Sequence, residues 1–249
     1  MDSRLGDIGA FRTTSPSSNS TNLGLARRAR GAETPASLGE HRQQDFFYIE
    51  RDKGLSTSQS SILVSTAYTQ LQPEHQTLYR NLLWYCQSDA AASAALASLL
   101  TDRKLTPAVM NELGALVQSP MAQGLDRGQI IKETLLQLND PMLVDQGTRS
   151  TCTAAVVQYL AIKQQPDRYV AMIAGLVSPS GQAKLPSGET LNRVGSLSSD
   201  GTGRSMVDQL VQNALMTYAS GSYNPVTDRN ADNSVGLTAQ RFDHLIEGV

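Results

Sequence analysis

The residue with the most chemical promise in this chain is a cysteine at the head of an apolar segment. Residues 145–155 read Asp-Gln-Gly-Thr-Arg-Ser-Thr-Cys-Thr-Ala-Ala, and a helical pattern runs on from Cys152 to Ile162. A sulfur on the first residue of a helix meets unpaired backbone N–H groups and the positive end of the helix dipole, both of which favour a thiolate. Gln146 lies six residues earlier, across a glycine-containing loop able to turn its amide toward the same point. That amide and the Cys152 N–H would together stabilise the oxyanion of an acyl-transfer intermediate. The same residues admit a plainer reading, with Cys152 a small buried helix residue and Gln146-Gly147 an ordinary turn.

A thiol nucleophile needs an imidazole partner, and the chain offers His41, His75 and His244. His244 lies 92 residues after Cys152 and is the candidate base, but Gln240–Ile246 around it reads as an amphipathic helix after Thr238 and only five residues follow it. No later strand is left to carry an orienting Asn or Asp. Asp228, Asn230 and Asp232 alternate like the first ligands of a calcium loop. Asn233 stands where glycine is required and Ala239 where a bidentate glutamate belongs, so no metal is expected there, and no cofactor motif stands out. Asp200-Gly201-Thr202-Gly203 lacks the Gly-Lys-Ser/Thr ending of a phosphate loop and reads as a linker. Cys86, beside Trp84 and Tyr85, closes an apolar helix face and reads as a packing residue.

The order and spacing Gln146-Gly147-Thr148-Arg149-Ser150-Thr151-Cys152 resembles the nucleophile loop of papain-like cysteine peptidases and of the related bacteriocin-processing and toxin cysteine peptidase domains. The resemblance spans about Leu138 to Val177. It implies Cys152 as nucleophile, Gln146 as oxyanion donor, and a cysteine hydrolase or acyl transferase (protease, deamidase or transamidase) of a secreted bacterial effector or toxin. Ser150 replaces the second glycine of the papain-type loop, and Thr153 the aromatic residue that often follows the cysteine. In that family the histidine sits on a sheet beyond the cysteine helix, and no run of strands follows here. The expectation is therefore the N-terminal, cysteine-bearing half of such a domain, its histidine coming from a missing C-terminal segment or a partner chain, with a protein or peptide as substrate. The alternative is a non-enzymatic helical binding or assembly module, a dead relative with a disordered leader.

Several elements must position these residues. Residues 1–44 are Ser-, Thr-, Gly- and Arg-rich with few large apolar side chains, and read as a disordered or partner-bound arm, open to a secretion chaperone or delivery machinery. Residues 45–138 read as a helical subdomain. Phe46-Phe47-Tyr48-Ile49 opens it as a packed segment, and about five helices follow: one with Ile62, Leu63, Ala67 and Leu71, then others begun at Pro73, Ser88, Thr106-Pro107 and Asp126. Residues 139–249 read as the partial papain-like domain. It holds the Cys152 helix, a helix over Asp167–Val177, a hairpin over Gln182–Val194 turning at Pro186-Ser187-Gly188, a helix capped by Ser205, a turn-rich Ser222–Asn233 stretch and the terminal helix. The expected class is predominantly α (α+β) with one small β-hairpin.

Composition narrows the partners. With 21 basic and 23 acidic residues the formal charge is −2, which gives no broad attraction to phosphate backbones, so nucleic acid is not expected. Two cysteines cannot form a disulfide framework. No apolar stretch approaches the ~18 residues of a membrane span, and Met1–Ala10 lacks the apolar core of a general secretory signal. The expected location is the cytoplasm of the producing cell, with export only by a dedicated secretion system.

Overall fold

A computed structural model describes residues 57–249. The N-terminal arm, His41 and the Phe46–Ile49 segment lie outside the described residues. The described chain is predominantly α-helical with two small antiparallel ribbons. In chain order the helices are α1 (Thr57–Thr69), α2 (Pro73–Cys86), α3 (Ala90–Thr101), α4 (Pro107–Gln118), α5 (Arg127–Asn139), α6 (Cys152–Gln164), α7 (Pro166–Val177), α8 (Met206–Ser220) and α9 (Ala239–Gly248). A short 3₁₀ turn, Pro141–Leu143, follows α5.

Local chemistry sets most helix starts. Thr106, Asp126, Ser205 and Thr238 each accept a first-turn N–H of the helix that follows. The cap of α3 is Asp89 rather than Ser88: its carboxylate accepts the Ala92 N–H at 3.0 Å, and a carboxylate gains further from the helix dipole. The end of α4 is closed from outside, where the Arg127 guanidinium donates to the carbonyls of Leu116, Val117 and Ser119 at 2.6, 2.8 and 2.7 Å.

The expected hairpin forms between β1 (Gln182–Lys184) and β2 (Thr190–Asn192), with Ala183 opposite Leu191, both buried. The Ser222–Asn233 stretch holds a second ribbon, β3 (Tyr223–Asn224) with β4 (Arg229–Asn230), too short for strand periodicity to show in the sequence.

A single hydrophobic core runs from Val64 to Leu245, continuous across positions 138 and 139, and Cys86 is buried within it. Among the described residues no helix is long and apolar enough to cross a membrane. The centre of the cysteine-bearing half is α8, buried at every position from Val207 to Met216 and packed on by α5, α6, α7, α9 and β2. Because it is enclosed all round, its polar residues Asp208, Gln209, Gln212 and Asn213 are buried too, and each must find partners inside the protein.

Candidate functional site

The loop from Asp145 to Thr151 lies over α8 and delivers Cys152 to the surface. None of residues 141–150 is fully buried. The thiol of Cys152 is exposed on the first residue of α6, so the reading that seals it in a core does not hold. Its Sγ has Thr153 Oγ1 at 3.9 Å.

Thr151 should cap α6 by the usual logic of a hydroxyl preceding a helix. Its hydroxyl is instead drawn inward and donates to Gln212 Oε1 at 2.7 Å, leaving α6 without a side-chain cap. The first-turn N–H groups of α6, which have no intrahelical acceptor, therefore remain uncapped beside the exposed thiol.

Gln212 grips the loop at both ends. While Oε1 takes the Thr151 hydroxyl, Nε2 donates to the Asp145 carbonyl at 3.0 Å and to Gln158 Oε1 at 3.1 Å. One turn earlier, Asp208 accepts from Gln137 and Gln158 on one carboxylate oxygen, at 2.8 and 2.9 Å, and from the Ser205 hydroxyl and Asp145 N–H on the other, at 2.8 and 3.4 Å. Tyr169 completes the cluster, donating to Gln137 and accepting from Gln158. Burial raises the Asp208 carboxyl to about 6 despite its four donors, since all four are neutral. Burial, and then the Asp208 charge, raise the Tyr169 phenol well above its ordinary value.

A second set of contacts holds the far side of the loop. The Ser150 N–H donates to Asp228 at 2.9 Å, and Tyr223 donates to the same carboxylate at 2.7 Å. Burial opposes ionisation of Asp228, but the Tyr223 and Ser150 bonds outweigh it and hold the group below its usual range. Gly147, at φ +57°, passes so close to Thr202 that an added Cβ would lie 2.7 Å from the Thr202 carbonyl. Asp200 makes a 2.7 Å ion pair with the buried Arg204 and lies 3.6 Å from Arg149 of the loop. The 200–203 segment, expected as a plain linker, is thus a wall of the site.

The predicted site residues meet in part. Gln146 and Cys152 share the loop, but the Gln146 amide donates to the Arg149 carbonyl at 3.1 Å, closing its own turn. His244 stacks on Tyr218 with ring centroids 4.8 Å apart, in the last turn of α8, about 9 Å along that helix from Gln212. His75, on α2, bonds Asn111 at 3.2 Å. Among the described residues no histidine hydrogen-bonds the Cys152 thiol, and no metal-ligand cluster is present.

Sequence reading missed Gln137, Gln158, Tyr169, Asp208 and Gln212 as supports of the site. A signal was present: Asp208 and Gln212, with Gln209 and Asn213 beside them, recur four residues apart in a helix whose other positions from Val207 to Met216 are apolar, and polar side chains so placed imply an internal network. No protein-family model, curated protein or solved structure matches the chain.

Proposed function

We propose that the 145–152 loop is the nucleophile half of a papain-like thiol hydrolase or acyl-transferase site, and that Cys152 attacks an amide or thioester carbonyl of a protein or peptide. The observation that carries this reading is an exposed thiol on the first residue of a helix whose capping hydroxyl is diverted, leaving first-turn N–H groups free to bind an oxyanion. Gln146 is the second donor, reached by release of its bond to Arg149. The imidazole comes from a segment outside the described residues or from another chain. An effector or toxin role, and delivery through the N-terminal arm, belong to the same proposal.

The second reading, a binding module without catalysis, draws on two observations. His244 is engaged with Tyr218, and Val156, one turn along α6 from Cys152 on the same face, is an apolar side chain open to solvent.

A test uses the full chain carrying Cys86→Ala, a small peptidyl thioester and intact-mass detection. Expected is one acyl group on Cys152, formed about tenfold or more faster on the folded chain than in denaturing urea, lost in Cys152→Ser, slowed by Gln146→Ala, and turned over faster with added imidazole. Acylation no faster on the folded chain, with or without imidazole, selects the binding module.

A further inference from the structure

Asp208 is a buried carboxyl with no role in the proposed chemistry, and its surroundings are unusual. Its four donors come from four segments: Gln137 on α5, Gln158 on α6, Ser205 before α8 and the Asp145 N–H of the cysteine loop. No cation bonds it. The ionisable groups that face it are acidic or phenolic: Glu133 on α5, which accepts the Val207 N–H at 2.9 Å, Tyr169 on α7, and Asp145 in the loop. Arg204, one turn before Asp208, is committed to Asp200, Gln212 and Asn213. The α6 face presents the neutral Gln158, while Tyr223 next to β4 is bound to Asp228, and Glu189 beside β2 and His244 on α9 gather at Tyr218.

We propose that Asp208 is a pH-sensitive latch on the Cys152 loop, closed when the carboxyl is protonated and loosened when it ionises. In the protonated form the proton lies between the carboxyl and Ser205 Oγ, 2.8 Å away, since that hydroxyl can reverse from donor to acceptor. The carboxyl then needs no water, and the loop sits as observed. In the ionised form the carboxylate is held by neutral donors alone, and any motion that admits water lowers its free energy. The covers that yield differ in strength. The helices α5, α6 and α7 are fixed by buried apolar faces, whereas the loop has no fully buried residue between positions 141 and 150, and its bond to Asp208 is the longest of the four. The loop therefore moves first. Burial is the largest influence on this carboxyl and outweighs its donors, so linkage requires the covered state to bind the proton more tightly than an opened one.

The inference rests on the loop being the reactive site only for its biological meaning; its physical content is independent. The test is peptide-resolved hydrogen exchange of the full chain, corrected for intrinsic exchange chemistry. Protection of residues 145–151 is expected to fall roughly tenfold between about pH 5 and about pH 7.5, with the loop opening at a lower free energy than the α5 and α8 cores at every pH. Asp208→Asn, whose amide does not ionise, is expected to remove the pH dependence of loop protection across that range. Protection that is flat or rises with pH in the native chain, or an Asp208→Asn chain that follows the native profile, overturns the latch. Exchange does not depend on whether Cys152 reacts, so a failed latch and a failed nucleophile are separate results.

Discussion

At the scale of the single residue, Gln212 contributes the most to this site. A glutamine has one acceptor and two donor positions, and here Oε1 meets Thr151 and Arg204 while Nε2 meets Asp145 and Gln158, with the Thr151, Arg204 and Gln158 bonds buried. Truncation to alanine strands three buried partners and frees the loop carbonyl of Asp145. Gln212→Ala is expected to cost about 3 kcal/mol, and Thr151→Val, which removes a single donor, about 1 kcal/mol, both read by urea denaturation. Cys152→Ser, at an exposed position, is expected to leave stability within about 0.5 kcal/mol of the native chain in the same measurement. These differences separate residues that hold the loop from the residue that would react. That Cys152 opens a helix after a glycine-containing loop was legible in the sequence, because a helix start is set by residues a few positions away. Gln212 was not, because its role depends on what faces it across 61 and 67 residues of chain.

At the scale of elements, helix starts and stops followed local rules, and the hairpin turned where Pro186-Ser187-Gly188 said it would. Long-range contacts were less visible. Gly175 looks like an ordinary helix glycine, yet a Cβ there would meet the Gln182 carbonyl at 2.6 Å and Ala183 at 2.7 Å, because α7 and β1 pack backbone to backbone. Gly175→Ala is therefore expected to destabilise by about 2–3 kcal/mol, against the small gain an alanine normally brings inside a helix, as thermal unfolding will show. The carbonyls at the end of α4 likewise depend on Arg127 from the next helix, which no capping rule within α4 foretells.

At the scale of the whole molecule, the acidic groups set opposing pH dependences. Asp208 is raised from 3.8 to about 6, so the native state holds this proton more tightly than the unfolded chain does. Its contribution is greatest below the unfolded value and is lost as pH climbs through about 6, an effect of about 3 kcal/mol. Asp200 and Asp228 are lowered and act in the reverse sense, adding stability above the ordinary carboxylate range and losing it in acid. Urea unfolding of the native chain is expected to weaken between about pH 4.5 and pH 7, and Asp208→Asn to remove that decline. A native chain that strengthens over that range, or a variant that keeps the slope, would show that the Asp208 environment is wetter than its burial implies.

The sequence by itself determined the helical class, most element boundaries, the hairpin and the place of a cysteine at a helix start, because caps, prolines, glycines and apolar spacing act within a few residues. Tertiary structure decided what those elements enclose. It placed His244 against Tyr218, turned Thr151 away from its own helix, made a wall of the 200–203 segment, and gathered Gln137, Gln158, Tyr169, Asp208 and Gln212 into one network under the loop. The physical reason is that a buried polar group is satisfied by whatever the fold brings to it, and those partners lie tens of residues apart along the chain.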